Sequence, residues 1–156
     1  MRVRSLLLAA VLFSAACGSD QPQVPETEDA LLSCDSAVVT SPLPDWARAG
    51  FTPADQSVPH VTGQGGDIVG VVFGDPLLAP PGTDHANKIL WVSRVGVPNP
   101  GLSISARLGG SEATEQRYLP DGPGPSYVDM PTAGCWTFTL EWAGHTDTLV
   151  VPYRAP

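Results

Sequence analysis

Three histidines and the acidic residues beside them are the side chains best suited to acid–base or metal chemistry. His85 follows Asp84, and His145 stands two residues before Asp147. A histidine near a carboxylate can act as a general base or bind a metal. If His60 joins them at one end of the fold, the chain is a metal-binding or hydrolytic protein. No nucleophile elbow, zinc-binding helix or Ser-x-x-Lys pair accompanies them. The competing interpretation is that these histidines and acids are solvated loop residues. The protein would then have no catalytic residue, no metal ligand and no cofactor.

The N-terminus combines a short apolar run with a cysteine. Arg2 and Arg4 precede this run, which ends in the sequence SAAC at residues 14–17. A membrane-crossing helix needs roughly 20 apolar residues, so the pattern is typical of an export signal. It resembles a bacterial lipoprotein signal, which implies cleavage after residue 16, lipidation of Cys17 and anchoring at the extracytoplasmic face of the cell membrane. The alternative is an ordinary signal peptide cut near Ala16, which leaves Cys17 as a free thiol.

Composition divides the remaining chain into a tether and one domain. Residues 17–33 are rich in Pro, Gln and acidic residues and predict a flexible tether, whereas residues 34–156 predict a folded domain. Loss of Arg2 and Arg4 leaves 6 basic against 16 acidic residues, so the net charge of −8 becomes −10. Such a surface repels nucleic acid. The expected partners are the membrane, through the lipid, and an envelope protein or glycan.

Short apolar runs alternate with Pro- and Gly-rich turn signals along the folded part. In Cys135–Trp142 and Leu102–Leu108, apolar side chains occupy one face and polar side chains the other. Ile68–Phe73 and Ile89–Val95 are nearly continuous apolar runs, as expected for central strands covered on both sides. Weaker strands are predicted at residues 36–40, 116–119, 127–130 and 146–151, and a hairpin turn at 143–145. The pattern predicts an all-β fold, an antiparallel immunoglobulin-like β-sandwich of seven or eight strands.

The region between the first two predicted strands contains turn and loop signals. His60 stands between Pro59 and Val61 and is assigned to a loop. The glycine-rich stretch 63–67 (GQGGD) precedes a strand and not a helix, so it is not expected to cradle a phosphate. We expect a turn with several positive-φ positions there.

Two further cysteines remain in an exported domain. Cys34 and Cys135 are expected to form a disulfide. Alternation places Cys135 on the outward side of its strand, so the disulfide requires a bulge or a change of direction near Gly134. The competing interpretation is a copper site formed by Met130, Cys135 and His145. It lacks the second closely spaced histidine of such sites.

The entry into the strand of Cys135 carries a resemblance to a known group of proteins. Residues 131–136 (PTAGCW) resemble the Pro-x-x-Gly-x-aromatic entry of a late strand in immunoglobulin-like domains of bacterial surface proteins. With residues 87–92 (NKILWV) and 124–127 (GPSY), the chain resembles actinobacterial lipoproteins that carry such a domain, over residues 60–152. The resemblance implies an immunoglobulin-like fold and assigns no activity.

Trp46 and Phe51 are the aromatic residues best placed to contact a partner. Trp46 lies within a single predicted helical turn at 44–49, and Phe51 follows it. An exposed tryptophan there could anchor a protein or a carbohydrate. Alternatively, the two rings cap one open end of the sandwich. The sequence therefore favours a non-catalytic binding module of the cell envelope.

Overall fold

The computed structural model describes residues 34, 36–96 and 101–156. The predicted signal peptide, the lipidation of Cys17 and the tether at 17–33 lie outside the described residues. The strands are β1 (Val39–Pro42), β2 (Ser57–Thr62), β3 (Ile68–Val72), β4 (Lys88–Ser93), β5 (Leu102–Leu108), β6 (Thr114–Leu119), β7 (Pro125–Tyr127), β8 (Gly134–Trp142) and β9 (His145–Tyr153). A short 3-10 helix spans Asp45–Ala47, within the predicted helical turn.

The strands form two antiparallel sheets packed as a sandwich. One sheet has five strands in the order β1-β2-β3-β4-β7, and the other has four in the order β6-β5-β8-β9. The predicted all-β sandwich is confirmed, with nine strands in the described part of the chain instead of seven or eight. No helix among the described residues has the length and apolar character needed to cross a bilayer.

The alternating strands fill the space between the sheets as their patterns predict. On β8, Trp136, Phe138, Leu140 and Trp142 are all buried, and on β5 the buried residues are Leu102, Ile104 and Ala106. The inner side of the five-stranded sheet contributes Ile68, Ile89 and Trp91 to the same core. Burial of each large apolar side chain stabilises the fold by roughly 1.5–3 kcal/mol.

Strand β2 is the element that sequence reasoning missed. Pro59 lies within it and pairs with Thr40 of β1, while His60 pairs with Val71 of β3. A proline argues against a strand with neighbours on both sides, which is why the loop assignment of His60 was wrong.

The predicted strand 127–130 is also displaced, since β7 ends at Tyr127.

The outer face of the five-stranded sheet is covered by the connection between β1 and β2. Leu43 and Ala47 pack with Val69 and Val71 in a second apolar cluster. All five residues of β3 are consequently buried, as its continuous apolar run predicts. Trp46 and Phe51 are half-buried against this cluster. They lie over the face of the sheet, so the prediction that they cap an open end of the sandwich was wrong.

Cys34 and Cys135 form a disulfide with a Cα–Cα distance of 5.8 Å. Of the expected bulge or change of direction near Gly134, the bulge is absent, because Cys135 pairs with Pro152 in a continuous ladder between β8 and β9. Gly134 instead has a φ of 142° immediately before the cysteine, a conformation that favours glycine. The cysteine therefore keeps the outward orientation that alternation predicts.

Candidate functional site

The outer face of the four-stranded sheet is a flat surface on which side chains from all four strands stand in register. Its first row is Tyr118, Ser103, Glu141 and Thr146; its second is Gln116, Ser105, Thr139 and Thr148; its third is Thr114, Arg107, Thr137 and Val150. We call these twelve residues the open face. None of them is buried among the residues that the structure describes.

The chemistry of the open face is dominated by hydroxyl groups. Seven of its residues are serine or threonine, and Gln116 donates a hydrogen bond of 2.9 Å from its amide to the Ser105 hydroxyl. A hydroxyl can both donate and accept hydrogen bonds. The only charged side chains are Glu141 and Arg107, so the face carries no net charge. It therefore offers many hydrogen-bonding groups and little Coulombic attraction.

One end of the open face continues into a shallow depression formed by the hairpin between β5 and β6. The depression has a volume of about 440 Å³ and is lined by Arg107, Leu108, Gly109, Gly110, Ser111, Glu112 and Thr137. The guanidinium of Arg107 lies 3.4 Å from the carboxylate of Glu112. Both side chains are exposed, so this ion pair contributes little to stability. The depression extends the polar surface beyond the third row.

Strand β6 lies at one edge of this sheet, and its side chains oppose pairing with a strand from another chain. Its Glu115 and Arg117 side chains stand on the core side and form an ion pair of 2.9 Å. Arg117 also donates to the carbonyl oxygen of Asp129 at 3.1 Å. Inward-pointing charges at an edge oppose pairing with a further strand. This arrangement favours ligand binding on the face over strand addition at the edge.

The three histidines do not form one centre. His60 is buried on β2, with Nδ1 2.9 Å from the carbonyl oxygen of Val58, and Nε2 of His85 is 3.1 Å from the carbonyl oxygen of Gly74. The His145 ring stacks on Trp142 with 5.8 Å between centroids. In the described part of the chain, no three His, Cys, Asp or Glu side chains converge as a metal-ligand set.

Two of these histidines lie at opposite ends of the sandwich. His85 precedes the first residue of β4. The indole N–H of Trp142, against which His145 stacks, donates to Ser93 at the last residue of β4. A site that uses both imidazoles together is therefore not formed in this fold.

Asp147 lies in the predicted strand 146–151, but the sequence did not indicate that it is buried. Its carboxylate accepts hydrogen bonds from the backbone N–H groups of Gly65 (2.8 Å), Asp67 (3.1 Å) and Thr148 (2.7 Å). The 63–67 turn thus does surround an anion, which is this carboxylate. Only Gly66 has a positive φ there, at 72°, in place of the several expected. The glycine cluster was the available signal, since N–H groups of such turns commonly hold anions.

Asn87 forms buried hydrogen bonds at the other end of the sandwich, and sequence reasoning did not identify this role. Its amide oxygen accepts from the N–H of Leu78 at 2.8 Å, and its amide nitrogen donates to the Leu78 carbonyl and to Asp129, both at 2.8 Å. Nearby, the Tyr153 hydroxyl donates to the Val128 carbonyl at 2.6 Å. Burial raises the pKa of Tyr153 well above its usual range, and the negative charge of Asp129 adds to this effect. These bonds support the scaffold of the open face.

Comparison of the chain with protein-family models, with curated proteins and with solved structures found no match.

Proposed function

We propose that this chain is an exported, lipid-anchored protein of the cell envelope that acts as a non-catalytic binding module. Its ligand-binding surface is the open face. The lipid on Cys17 holds the protein at the extracytoplasmic face of the cell membrane, and the acidic tether at 17–33 separates the domain from the bilayer. The partner is an envelope protein or glycan.

The contrast between the two outer faces of the sandwich carries this proposal. The five-stranded sheet has an apolar outer face that residues 43–56 cover with their own side chains, including Leu43 and Ala47. The four-stranded sheet has a polar outer face, and Cys34 meets it only at the outward Cys135, one row beyond the open face. An apolar face must be covered for the domain to be soluble, whereas a polar face needs no cover. The twelve residues of the open face therefore remain available to a ligand.

Two serine substitutions test the surface. In full-length protein held in detergent, Ser105→Arg places a long charged side chain in the middle row of the open face. Ser57→Arg makes the same change at another exposed strand position, at the start of β2. We expect Ser105→Arg to reduce binding to purified envelope fragments about tenfold, as loss of a central contact does. Ser57→Arg should bind as the unaltered protein does.

Equal binding by both variants and the unaltered protein would place the ligand elsewhere. Unfolding in urea provides the necessary control, because both serines are exposed and neither substitution is expected to change stability by more than about 0.5 kcal/mol.

The anchor is tested by the intact mass of protein purified from membranes. We expect Cys17 to be the first residue and to carry acyl chains, and Cys17→Ser to abolish both the added mass and retention in the membrane fraction. A mature chain that keeps its first sixteen residues, or one with a free thiol at Cys17, would contradict the anchor.

A further inference from the structure

The first row of the open face differs from the other two because it contains a large exposed aromatic ring. It consists of Tyr118, Ser103, Glu141 and Thr146 on four adjacent strands. Neighbouring strands lie about 4.8 Å apart, so the row spans ~14 Å across the sheet. This length suits an extended oligomer better than a small, compact ligand.

Tyr118 stands on the edge strand β6 at one end of this row and is 65% exposed. A Cβ atom at Gly101 would collide with the hydroxyl oxygen of Tyr118. The ring therefore rests against the backbone of Gly101, and a Cβ at that position would push the exposed ring aside. This contact restricts the ring on one side, which reduces the conformational freedom that it loses when a ligand stacks on it.

The remaining members of the row can hydrogen-bond to a polyhydroxylated ligand. The Ser103 and Thr146 hydroxyls can each donate and accept, and the Glu141 carboxylate accepts from hydroxyl donors. A sugar has the matching pair of surfaces, because its C–H groups form an apolar side and its hydroxyls form a polar rim. An aromatic ring beside hydroxyl and carboxylate groups suits both at once.

Charge selects a neutral ligand over an anionic one. Of the 16 acidic residues, only Glu141 belongs to the open face, and the one basic residue of that face, Arg107, lies two rows away and pairs with Glu112. The rest of the molecule is strongly acidic, which disfavours the approach of a polyanion. The open face is thus an area of low charge on an acidic protein and complements an uncharged polymer.

From these four observations we infer that the first row binds a neutral, extended glycan and that the Tyr118 ring stacks on one of its sugar rings. This inference rests on the proposed function, since it names the ligand of the same surface. The hydroxyls of Ser103 and Thr146 and the carboxylate of Glu141 hold the hydroxyl rim of the glycan.

The structure supplies a matched control for Tyr118. Tyr127 has nearly the same exposure, 67%, but lies on β7 of the other sheet. Binding of full-length protein in detergent is measured with soluble neutral β-glucan, α-mannan and chito-oligosaccharide, and with polygalacturonate as an anionic comparator. We expect at least one neutral glycan to bind and polygalacturonate to bind more weakly.

For that glycan, Tyr118→Ala should weaken binding about tenfold, as expected for the loss of a stacked ring. Tyr118→Phe should retain binding, and Tyr127→Ala should leave it unchanged. Gly101→Ala should weaken binding by displacing the ring, whereas Gly96→Ala, whose Cβ would have no atom of the described residues within 4 Å, should not.

The inference and the proposed function fail in different ways. If no neutral glycan binds, or if Tyr118→Ala and Tyr127→Ala behave alike, the glycan inference is overturned. The proposed function can stand even when the glycan inference fails. This is so if Ser105→Arg still abolishes binding to envelope fragments and if protease treatment of the fragments also abolishes it. The open face then binds a protein.

Discussion

The carboxylate of Asp147 accepts a hydrogen bond of 2.8 Å from the backbone N–H of Gly65, a residue 82 positions earlier in the chain. This bond joins β9 of the four-stranded sheet to the turn between β2 and β3 of the five-stranded sheet. The same strand carries Thr146 and Thr148 on the open face. The buried carboxylate therefore fixes the strand that forms one border of the proposed binding surface.

Removal of this carboxylate is expected to destabilise the domain. Asp147→Ala leaves the N–H groups of Gly65 and Asp67 without their acceptor. A buried group without a partner costs about 1–3 kcal/mol, so we expect the free energy of unfolding in urea to fall by about 3 kcal/mol.

Gly63→Ala should act in the same direction, because its Cβ would collide with the Asp147 carboxylate. Gly96→Ala is the control, since its Cβ would meet no atom within 4 Å in the part of the chain that the structure describes. If Gly63→Ala and Gly96→Ala unfold at the same urea concentration, the carboxylate does not hold the turn.

The disulfide between Cys34 and Cys135 should contribute substantially to stability. It joins residues 101 positions apart, and closing a loop of that length restricts the unfolded chain by up to about 4.7 kcal/mol in the chain-entropy model. We expect the double variant Cys34→Ser/Cys135→Ser to unfold at lower urea concentration than the oxidised protein. A reductant should lower the stability of the unaltered protein to that of the double variant and leave the variant unchanged. Detection of two free thiols in the folded, purified protein would contradict the pairing.

Asn87→Asp tests the amide network while preserving side-chain shape. The substitution removes the donor to the Leu78 carbonyl and places a second carboxylate near Asp129. We expect the free energy of unfolding to fall by about 3 kcal/mol. Gln116→Glu makes the same amide-to-acid change at an exposed position on β6 and should alter stability by no more than about 0.5 kcal/mol. Equal stabilities of the two variants would show that the Asn87 amide is dispensable.

Tyr153 should make the domain sensitive to alkali. Its pKa is raised in the folded state by burial and then by Asp129, from a usual value of 10.0. The unfolded chain therefore loses this proton at lower pH than the folded chain, so the contribution to stability is complete below about pH 10 and declines above it.

Urea unfolding measured from pH 8 to about pH 11.5 checks this expectation. Tyr153→Phe should be less stable at pH 8 by about 1 kcal/mol, because it lacks the hydrogen bond to the Val128 carbonyl. Its stability should then decline less steeply above pH 10. A decline as steep as that of the unaltered protein would assign the alkaline transition to other groups.

The alternating strands could be predicted because the alternation of apolar and polar residues within each strand shows which side chains are buried. The period of two on β5 and β8 identified both the buried residues and the outward residues Ser103, Ser105, Thr137 and Thr139. Hence two strands of the open face could be read from the sequence. The rows could not, because they depend on which strands pair and in what register, and β6 and β9 showed weaker patterns.

The misassigned residues depend on contacts between distant parts of the chain. Pro59 breaks the strand signal around His60, and the weak alternation of residues 146–151 does not reveal the burial of Asp147. The partner of Asp147 lies 82 residues away, beyond the range of any local pattern. Trp46 and Phe51 were recognised as surface aromatics, but nothing local showed that they cover the face of β3.

The most direct test of the binding surface is photo-cross-linking in living cells. A photoreactive side chain replaces Thr139 at the centre of the open face, and in a second variant it replaces the exposed Thr83 in the loop between β3 and β4. We predict a light-dependent adduct with envelope material from position 139 and none from position 83. An adduct from position 83 alone, or equal adducts from both, would contradict the assignment of the open face as the ligand-binding surface.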